Sequence, residues 1–578
     1  MSKPPKPNRP GTNLPQRAPI ADVLQDGLRL HQAGRGDEAA RLYEQVLARE
    51  PLQPAANHLL GLVRLQQGKP DDAVRLISRA TSVNKSDPQY FANLGAALNA
   101  AGRPAEAVEA LDRAIALKPA FPGAHSNRGM ALKALGRLDD AAASYRQAVS
   151  LAPAEPGFYL NLANVLGDLS ELDAAESAYR EALRLRPVYP AAVAGLSGVL
   201  DLLGRPEDAL TVSAEALAKA PNEADFHYWK GRALYRLGRL KEALAASQRA
   251  LQLRPAFGEA HFHAAHMRRW SATDHGIAAM EAIYSNAAAP VDDRVYTGFG
   301  LAKALGDAGD HERSVTTYIG VNALHRPRLN FSLPAVEADF ARLVEMFSGA
   351  AGNQASDSVE DSPIFVVGLP RSGKSTVESV LARHADVYAA GEQRLLSRLV
   401  DRYGSGGPEG LRQIGVEYAR FGRELGGGKR IIDTMPPNFR LLGFIRAALP
   451  NARVIHCVRD SGDHAVAIFE KFLPRSGYEF ASDLTEIVAY HRAYRKLMAQ
   501  WHSLFPGFIL DVDVATLSGQ AAKPVADLLG FAGLPWDPAC LAVVESEPQL
   551  GNWTAEMRAA NWAAHRAEWM LRHPELWA

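Results

Sequence analysis

The chain has 578 residues, about four domain-equivalents at roughly 150 residues each, which excludes a single compact globule. Lys+Arg and Asp+Glu both number 64, so no global basic excess drives binding to nucleic acid or to an anionic membrane, and any phosphate chemistry must be local. With 47% hydrophobic residues and only two cysteines, Cys457 and Cys540, wholesale disorder, a disulfide framework and a cysteine-rich zinc site are excluded, and a reducing compartment fits best.

Residues 1–19 are basic and proline-rich without the apolar core of a signal peptide, and no later run approaches eighteen apolar residues. A flexible tail and a cytoplasmic protein without a membrane span are expected. From Ile20 the sequence repeats with a period of 34. Alanine recurs at Ala39, Ala73, Ala107, Ala141, Ala175, Ala209 and Ala243, and a second small position runs from Val46 through Ala80, Ala114, Ala148, Ala182 and Ala216 to Ala250. A third reads Gly27, Gly61, Gly95, Gly129, Ala163, Ser197 and Gly231, where small residues let two helices approach closely. Prolines at Pro51, Pro119, Pro153, Pro187, Pro221 and Pro255 stop the second helix of a unit and start the turn to the next; Lys85 takes that place in unit two.

These positions resemble the tetratricopeptide repeat, a helix-turn-helix unit that stacks into a right-handed superhelix, over seven units spanning residues 20–257. A helical connector follows over 258–350, with a degenerate eighth unit around residues 300–324. The resemblance implies a concave groove that binds a protein or peptide. Asn93, Asn127 and Asn161 share one position in three consecutive units and can form a hydrogen-bonding ladder for an extended backbone, although asparagine is frequent there in the family.

Residues 351–362, AGNQASDSVEDS, read as a linker, and a new domain spans 363–578. PIFVVG is a short β-branched run, expected as a buried strand; it leads through GLPRSGKST into the helical pattern VESVLARH. Gly368, Gly373, Lys374 and Ser375 satisfy GxxxxGK[ST] in its strand-loop-helix context, where backbone N–H groups and the helix N-terminus cradle phosphate oxygens. Residues 429–433, 452–458 and 507–512 read as three more strands, alternating with helical segments at 409–425, 438–449, 461–473 and 483–504. That alternation predicts a parallel sheet covered on both faces, with ligand sites at the carboxyl ends of the strands.

In this domain the sequence resembles the sulfotransferase family, particularly bacterial proteins that join tetratricopeptide repeats to a tyrosylprotein-sulfotransferase-like domain. The loop GLPRSGKST is similar to the family's PRSGTT loop, HADVYAAGE to the segment that carries its catalytic glutamate, and the stretch IIDTMPPNF to HCVRDSGD to DKMPxNF followed by RDPxD; FAGLPWDPAC fits the C-terminal region. The fold implied is a three-layer α/β domain of the P-loop kind behind an α-helical repeat superhelix. The activity implied is transfer of a sulfuryl group from 3′-phosphoadenosine-5′-phosphosulfate (PAPS) to a hydroxyl, with no metal required. Carried over residue by residue, Arg371, Ser372, Gly373, Ser375 and Thr376 hold the 5′-phosphosulfate with Lys374 as an added cation, Arg459 binds the 3′-phosphate, and Glu392 is the general base, with Arg371 and Lys374 supporting the transfer. A protein tyrosine, a carbohydrate hydroxyl and a small molecule are all compatible acceptors.

Four departures accompany the resemblance: Thr434 replaces the lysine of DKMP, Ala467 replaces a serine that contacts the 3′-phosphate, DVDVATL replaces VRYEDL, and the segment from Gly551 lacks the family's serine-rich basic loop. Lys374, where the family has threonine, can supply the missing lysine's charge. Two rival functions stay open. One is a P-loop kinase or nucleotide hydrolase with Asp433 or Asp511 on Mg²⁺; the other is a catalytically degenerate interaction adaptor. Elsewhere, His263 and His266 lack a completing metal ligand nearby, Trp553, Trp562, Trp569 and Trp577 read as packing residues, and Cys457 as a buried inert thiol.

Overall fold

The computed structural model describes residues 19–348, 363–473, 477–517, 522–541 and Trp562. The basic tail, the 351–362 linker and the C-terminal segment with Trp553, Trp569 and Trp577 lie outside the described residues. Contacts divide the chain into two compact units, Met1–Ala220 and Pro221–Ala578. Among the described residues no helix is long and apolar enough to cross a membrane.

The repeats are helix pairs: α1 (Ile20–Gln32) and α2 (Gly36–Arg49), α3 (Pro54–Gln66) and α4 (Pro70–Val83), α5 (Pro88–Ala100) and α6 (Pro104–Leu117), α7 (Pro122–Ala134) and α8 (Leu138–Leu151), α9 (Pro156–Asp168) and α10 (Leu172–Leu185), α11 (Pro190–Leu202) and α12 (Pro206–Lys219), then α13 (Ala224–Arg236) and α14 (Leu240–Leu253) in the second unit. Each of the six period prolines stands two residues beyond the end of its second helix. Pro54, Pro88, Pro122, Pro156 and Pro190 occupy the first position of the next helix, where a missing N–H costs nothing. The small third position is sterically required. A Cβ on Gly61 would sit 2.5 Å from Ile77, one on Gly95 2.4 Å from Leu111 and one on Gly129 2.8 Å from Tyr145. The recurring alanines are buried between the helices of a pair. Two of the asparagine side chains bond inside the array: Asn93 Nδ2 pairs with His58 Nε2 at 2.7 Å, and Asn161 Nδ2 donates to Ser126 Oγ at 3.4 Å.

In the second unit, α15 (Gly258–His266), α16 (His275–Ser285), α17 (Val291–Asp307), α18 (His311–His325) and α19 (Leu333–Phe347) follow the last repeat pair. His263 and His266 are both partly buried there, and desolvation pushes the His263 imidazole down to about 3 and His266 well below its usual range. A five-stranded parallel sheet then runs in the order β2 (Val387–Gly391), β3 (Arg430–Asp433), β1 (Ile364–Val367), β4 (Arg453–Val458), β5 (Ile509–Asp513). Phe365, Val367, Ile431 and Val454 face one core with α19, α22 (Gly407–Gly426), α23 (Leu442–Ala448), α24 (Ser461–Phe469) and α25 (Leu484–Leu504). Ile364, Val366, Ile432, Ile455 and Cys457 face the other, with α20 (Lys374–Leu381) and α26 (Ala522–Ala532). Helix α21 (Leu395–Tyr403) follows β2.

Four of the strands are those read from sequence; β2 is an addition. It is an edge strand with Tyr388 exposed and an Ala-Ala-Gly end, so neither β-branching nor continuous burial marks it in sequence. Expected helix 438–449 is shorter, because a tight turn over Pro436–Leu441 precedes α23. Chain order reverses direction at β1 and β4: from β1 the chain moves out to β2 and β3 on one side, and then to β4 and β5 on the other. The loops leaving β1 and β4 therefore part and open a crevice at the carboxyl edge of the sheet.

Candidate functional site

That crevice is a cavity of about 480 Å³ lined by Pro370, Arg371, Gly373, Lys374, Ser375, Glu392, Thr434, Pro436, Arg459, Lys471, Leu473 and Tyr478. The β1–α20 loop is held in a path that few residue types accept. Gly368 and Gly373 have φ of 153° and 95°, and Arg371 takes φ of 68° without being glycine. Such backbone strain persists only where neighbours enforce it. Here buried His464 Nε2 bonds the Pro370 carbonyl at 2.8 Å and Arg459 Nη1 donates to the Arg371 carbonyl at 2.9 Å, so α24 and the β4 end clamp the loop. Burial holds the His464 imidazole well below its usual range, so it donates as a neutral ring.

Arg371, Lys374 and Arg459 meet in the cavity, as does Glu392 from the end of β2. Gly373 and Ser375 line it too, whereas Ser372 and Thr376 are not among its lining residues. Ser372 is fully buried, and its Oγ has no hydrogen-bond partner among the described residues. Lys374 is 7% exposed, its Nζ donates to the Leu369 carbonyl at 3.1 Å, and burial pushes its ammonium down to about 8 against the pull of Cys457 and Glu392. Arg459 also pairs with Asp463 one turn along α24, while Asp460 caps that helix by accepting from the Asp463 N–H at 2.8 Å. The capping pair and the cavity position thus coexist.

Lys471, just past α24, is a fourth cation that no motif announces. Burial, with Arg371 close by, pushes it down to about 8. It stands one turn beyond Ala467, which is buried and outside the cavity, while Thr434 lines the cavity wall. Glu378 on α20 is a second residue without a sequence signal: its Oε1 accepts the Gly391 N–H at 3.1 Å and so fixes the backbone immediately before Glu392. Among the described residues, four cations and one carboxylate line this crevice at the strand ends, an arrangement that can hold an anion beside one proton acceptor.

Comparison with known proteins bears on both halves of the chain. Residues 363–538 match the sulfotransferase family, and residues 30–98 and 93–256 match tetratricopeptide-repeat families. The chain joins tetratricopeptide repeats to a sulfotransferase-family domain. A protein of Aquifex aeolicus (strain VF5) with no described function is 30% identical over 302 residues, 48% of this chain and 39% of that protein. A Caenorhabditis briggsae protein provisionally named a protein-tyrosine sulfotransferase is 22% identical over 190 residues, 31% of this chain and 68% of its own. Among solved structures, a thermophilic tetratricopeptide-repeat protein of Thermus thermophilus is 25% identical with a TM-score of 0.28, covering 32% of this chain and 99% of that one. The repeat protein YrrB, described as having an unusual peptide-binding site, is 19% identical with a TM-score of 0.28, covering 30% and 91%.

The second unit has another, larger cavity beside the first, about 760 Å³, to which Leu473 and Tyr478 are common walls. Its far side comes from the helices before the sheet: Glu259 on α15, Asp292, Asp293 and Tyr296 on α17, and His325 on α18. Phe472 anchors the shared wall, its ring edge-on to Tyr296 at 4.7 Å and to His325 at 5.2 Å. The two carboxylates offered for Mg²⁺ are engaged elsewhere. Asp433 is fully buried and accepts from Tyr418 Oη at 2.7 Å and the Met435 N–H at 2.8 Å; burial raises it to about 6. Asp511 faces His456 and His502 at the outer strand. Cys457 is buried, its thiol pushed up to about 12. Trp562 is 3% exposed, packs edge-on against Phe469 and donates to Glu470 at 2.7 Å, a packing residue.

Proposed function

We propose that this chain is a sulfotransferase that uses PAPS to sulfate a hydroxyl acceptor, and that the repeats engage a protein or peptide, either as partner or as substrate. The observation that carries the reading is the cation set. Arg371, Lys374, Arg459 and Lys471 line one crevice with Glu392, which fits a polyanionic donor and a single deprotonation step better than it fits a metal-assisted reaction. When bound, the donor supplies the sulfuryl group and leaves as 3′,5′-bisphosphoadenosine. Arg371, Gly373, Lys374 and Ser375 would hold its 5′ end, and Arg459, already oriented by Asp463, its 3′-phosphate. Glu392 takes the acceptor proton as the hydroxyl oxygen becomes bonded to sulfur. Lys374 and Lys471 would stabilise the charge that gathers on the departing phosphate, in place of the lysine that Thr434 displaces. The acceptor enters through the adjoining cavity, because Leu473 and Tyr478 give it a wall continuous with the crevice. The engagement of Asp433 and Asp511 elsewhere weighs against the kinase reading.

Calorimetric titration with 3′,5′-bisphosphoadenosine, beside ATP with and without Mg²⁺, tests the reading. Metal-independent binding of the bisphosphate, weakened tenfold or more in Arg371→Ala and Arg459→Ala as expected for loss of a charge-assisted hydrogen bond, supports it. Mg²⁺-dependent ATP binding in preference to the bisphosphate gives the site to a kinase, and binding of neither leaves an adaptor. The expected signature of Glu392→Gln is retained bisphosphate binding with turnover lowered by about 10²–10⁴.

A further inference from the structure

We propose that His456, His502 and Asp511 form a binding site for a divalent transition metal, zinc by preference, on the outer part of the sheet and away from the crevice. The argument begins with register. β4 and β5 pair in parallel with His456 opposite Asp511, so both side chains emerge on the same face of neighbouring strands. Helix α25 covers that face and brings His502 from its last turn. His456 Nδ1 lies 2.7 Å and His502 Nε2 3.0 Å from the same oxygen, Asp511 Oδ1, and the three donor atoms all fall within 4.8 Å of one another. A tetrahedral zinc ion with bonds of roughly 2.0–2.1 Å separates its ligands by about 3.3 Å, so small side-chain rotations convert this cluster into three legs of such a site.

The donor set selects the metal. Two imidazoles and one carboxylate suit zinc and its transition-metal neighbours, whereas Mg²⁺ and Ca²⁺ favour oxygen. This reassigns Asp511 from the phosphate-linked role its strand-end position suggests. Exposure fits an exchangeable ion: His456 is 7% exposed, while the side chains of His502 and Asp511 are 36% and 52% exposed, so the fourth position opens to water. A separate observation supports ligation. The remaining nitrogen of His456, Nε2, meets the hydroxyl of buried Tyr494 at 2.5 Å. An outer partner on the distal nitrogen is what fixes the ring and tautomer of a metal-bound histidine, leaving Nδ1 to face the metal. An ion here staples β5, which among the described residues pairs with β4 alone, to α25. Through Tyr494, whose hydroxyl also bonds the Leu369 backbone, the staple reaches the base of the phosphate loop.

The test uses the full-length chain stripped with a chelator and titrated with Zn²⁺, with bound metal per chain measured by elemental analysis. One zinc per chain is expected, with affinity lowered at least 100-fold in His502→Ala and in Asp511→Asn. Asp511 is exposed and His502 partly so, and these variants should keep the parent's circular dichroism. Tyr494→Phe should lower affinity 10–100-fold with all three ligands retained. Absence of saturable uptake by the parent chain overturns the proposal, as does an affinity that changes less than tenfold in both ligand variants, which would give the zinc to other histidines and leave His456, His502 and Asp511 as a hydrogen-bonded triad.

Discussion

Glu392 has its backbone placed by a neighbour that never enters the cavity. Glu378 accepts the Gly391 N–H and is itself kept protonation-prone by burial, while the Thr434 N–H donates to the Gly391 carbonyl at 2.9 Å, so the carboxylate holds the N–H side of the strand end. Glu378→Ala should lower kcat tenfold or more with little change in bisphosphate affinity, whereas Glu378→Gln, whose amide oxygen still accepts, should restore most of it. Equal losses in the two variants would mean that the carboxylate's charge, not its positioning bond, is what counts. The two desolvated lysines, Lys374 and Lys471, carry a pH signature. Both titrate near 8 in the folded chain against 10.5 for an ordinary lysine, so between about pH 8 and 10.5 the unfolded state holds more protons than the native one, and stability rises with pH across that window. An anion bound between them reverses this by favouring the ammonium forms. Bisphosphate binding at pH 8 should therefore take up protons, seen as a calorimetric enthalpy that varies with the buffer's ionisation enthalpy, and affinity should fall as pH rises above 8. Lys471→Met should remove part of the uptake. Arg371, Lys374 and Glu392 were legible because each sits inside a short motif whose backbone context is local. Lys471 and Glu378 were not, since nothing near either residue in sequence says that it faces that crevice or that backbone.

Helices and turns were legible where one local rule recurs every 34 residues. The structure adds a rule that the small-residue pattern left unread. Gly34, Gly68, Gly102, Gly136, Gly204 and Gly238 follow the first helix of their pairs with φ between 68° and 75°, the left-handed turn that ends a helix and starts the next. Ser170 occupies the same place in the fifth pair at φ 55°. An L-residue there costs about 1–2 kcal/mol over glycine, less the extra freedom glycine gains in the unfolded chain. Ser170→Gly should thus stabilise the repeats by about 1 kcal/mol, and Gly136→Ala should destabilise them by a similar amount. A Cβ added at Gly136 meets nothing within 4 Å among the described residues, so that second effect is one of backbone alone. Urea unfolding of the two variants measures both; a Ser170→Gly variant no more stable than its parent would show that the turn stores no strain. Edge strand β2 escaped the sequence for the opposite reason. Central strands are buried on both faces and read as apolar runs, whereas Val387–Gly391 is half-exposed, and only its pairing with β3 makes it a strand.

At the scale of the whole chain, periodicity and compactness mark different boundaries. The 34-residue period ends at Phe257, but contacts divide the chain between Ala220 and Pro221, so the seventh repeat pair counts with the sheet-bearing unit. Period reports which residues each turn and helix needs; it is blind to which neighbours a helix pair keeps. Arg254 and Phe257, at the end of that pair, line the larger cavity together with residues of α15, α17 and α18. Every lining residue of both cavities lies after Pro221. A ligand that binds only the folded second unit adds RT ln(1 + [L]/Kd) to that unit's stability, about 2.7 kcal/mol at a hundredfold excess over Kd. Scanning calorimetry of the full chain should show more than one transition, as expected when a chain holds more than one cooperative unit. Saturating bisphosphate should raise the transition of the second unit while leaving that of the first in place. If both rise together by the same amount, the repeats before Pro221 unfold with the sheet, and the cooperative unit is the entire chain. The outcome also bears on how a partner held by the repeats can act on the crevice. Separate transitions confine its influence to presenting an acceptor, whereas a shared one lets its binding free energy stabilise the sulfotransferase fold itself.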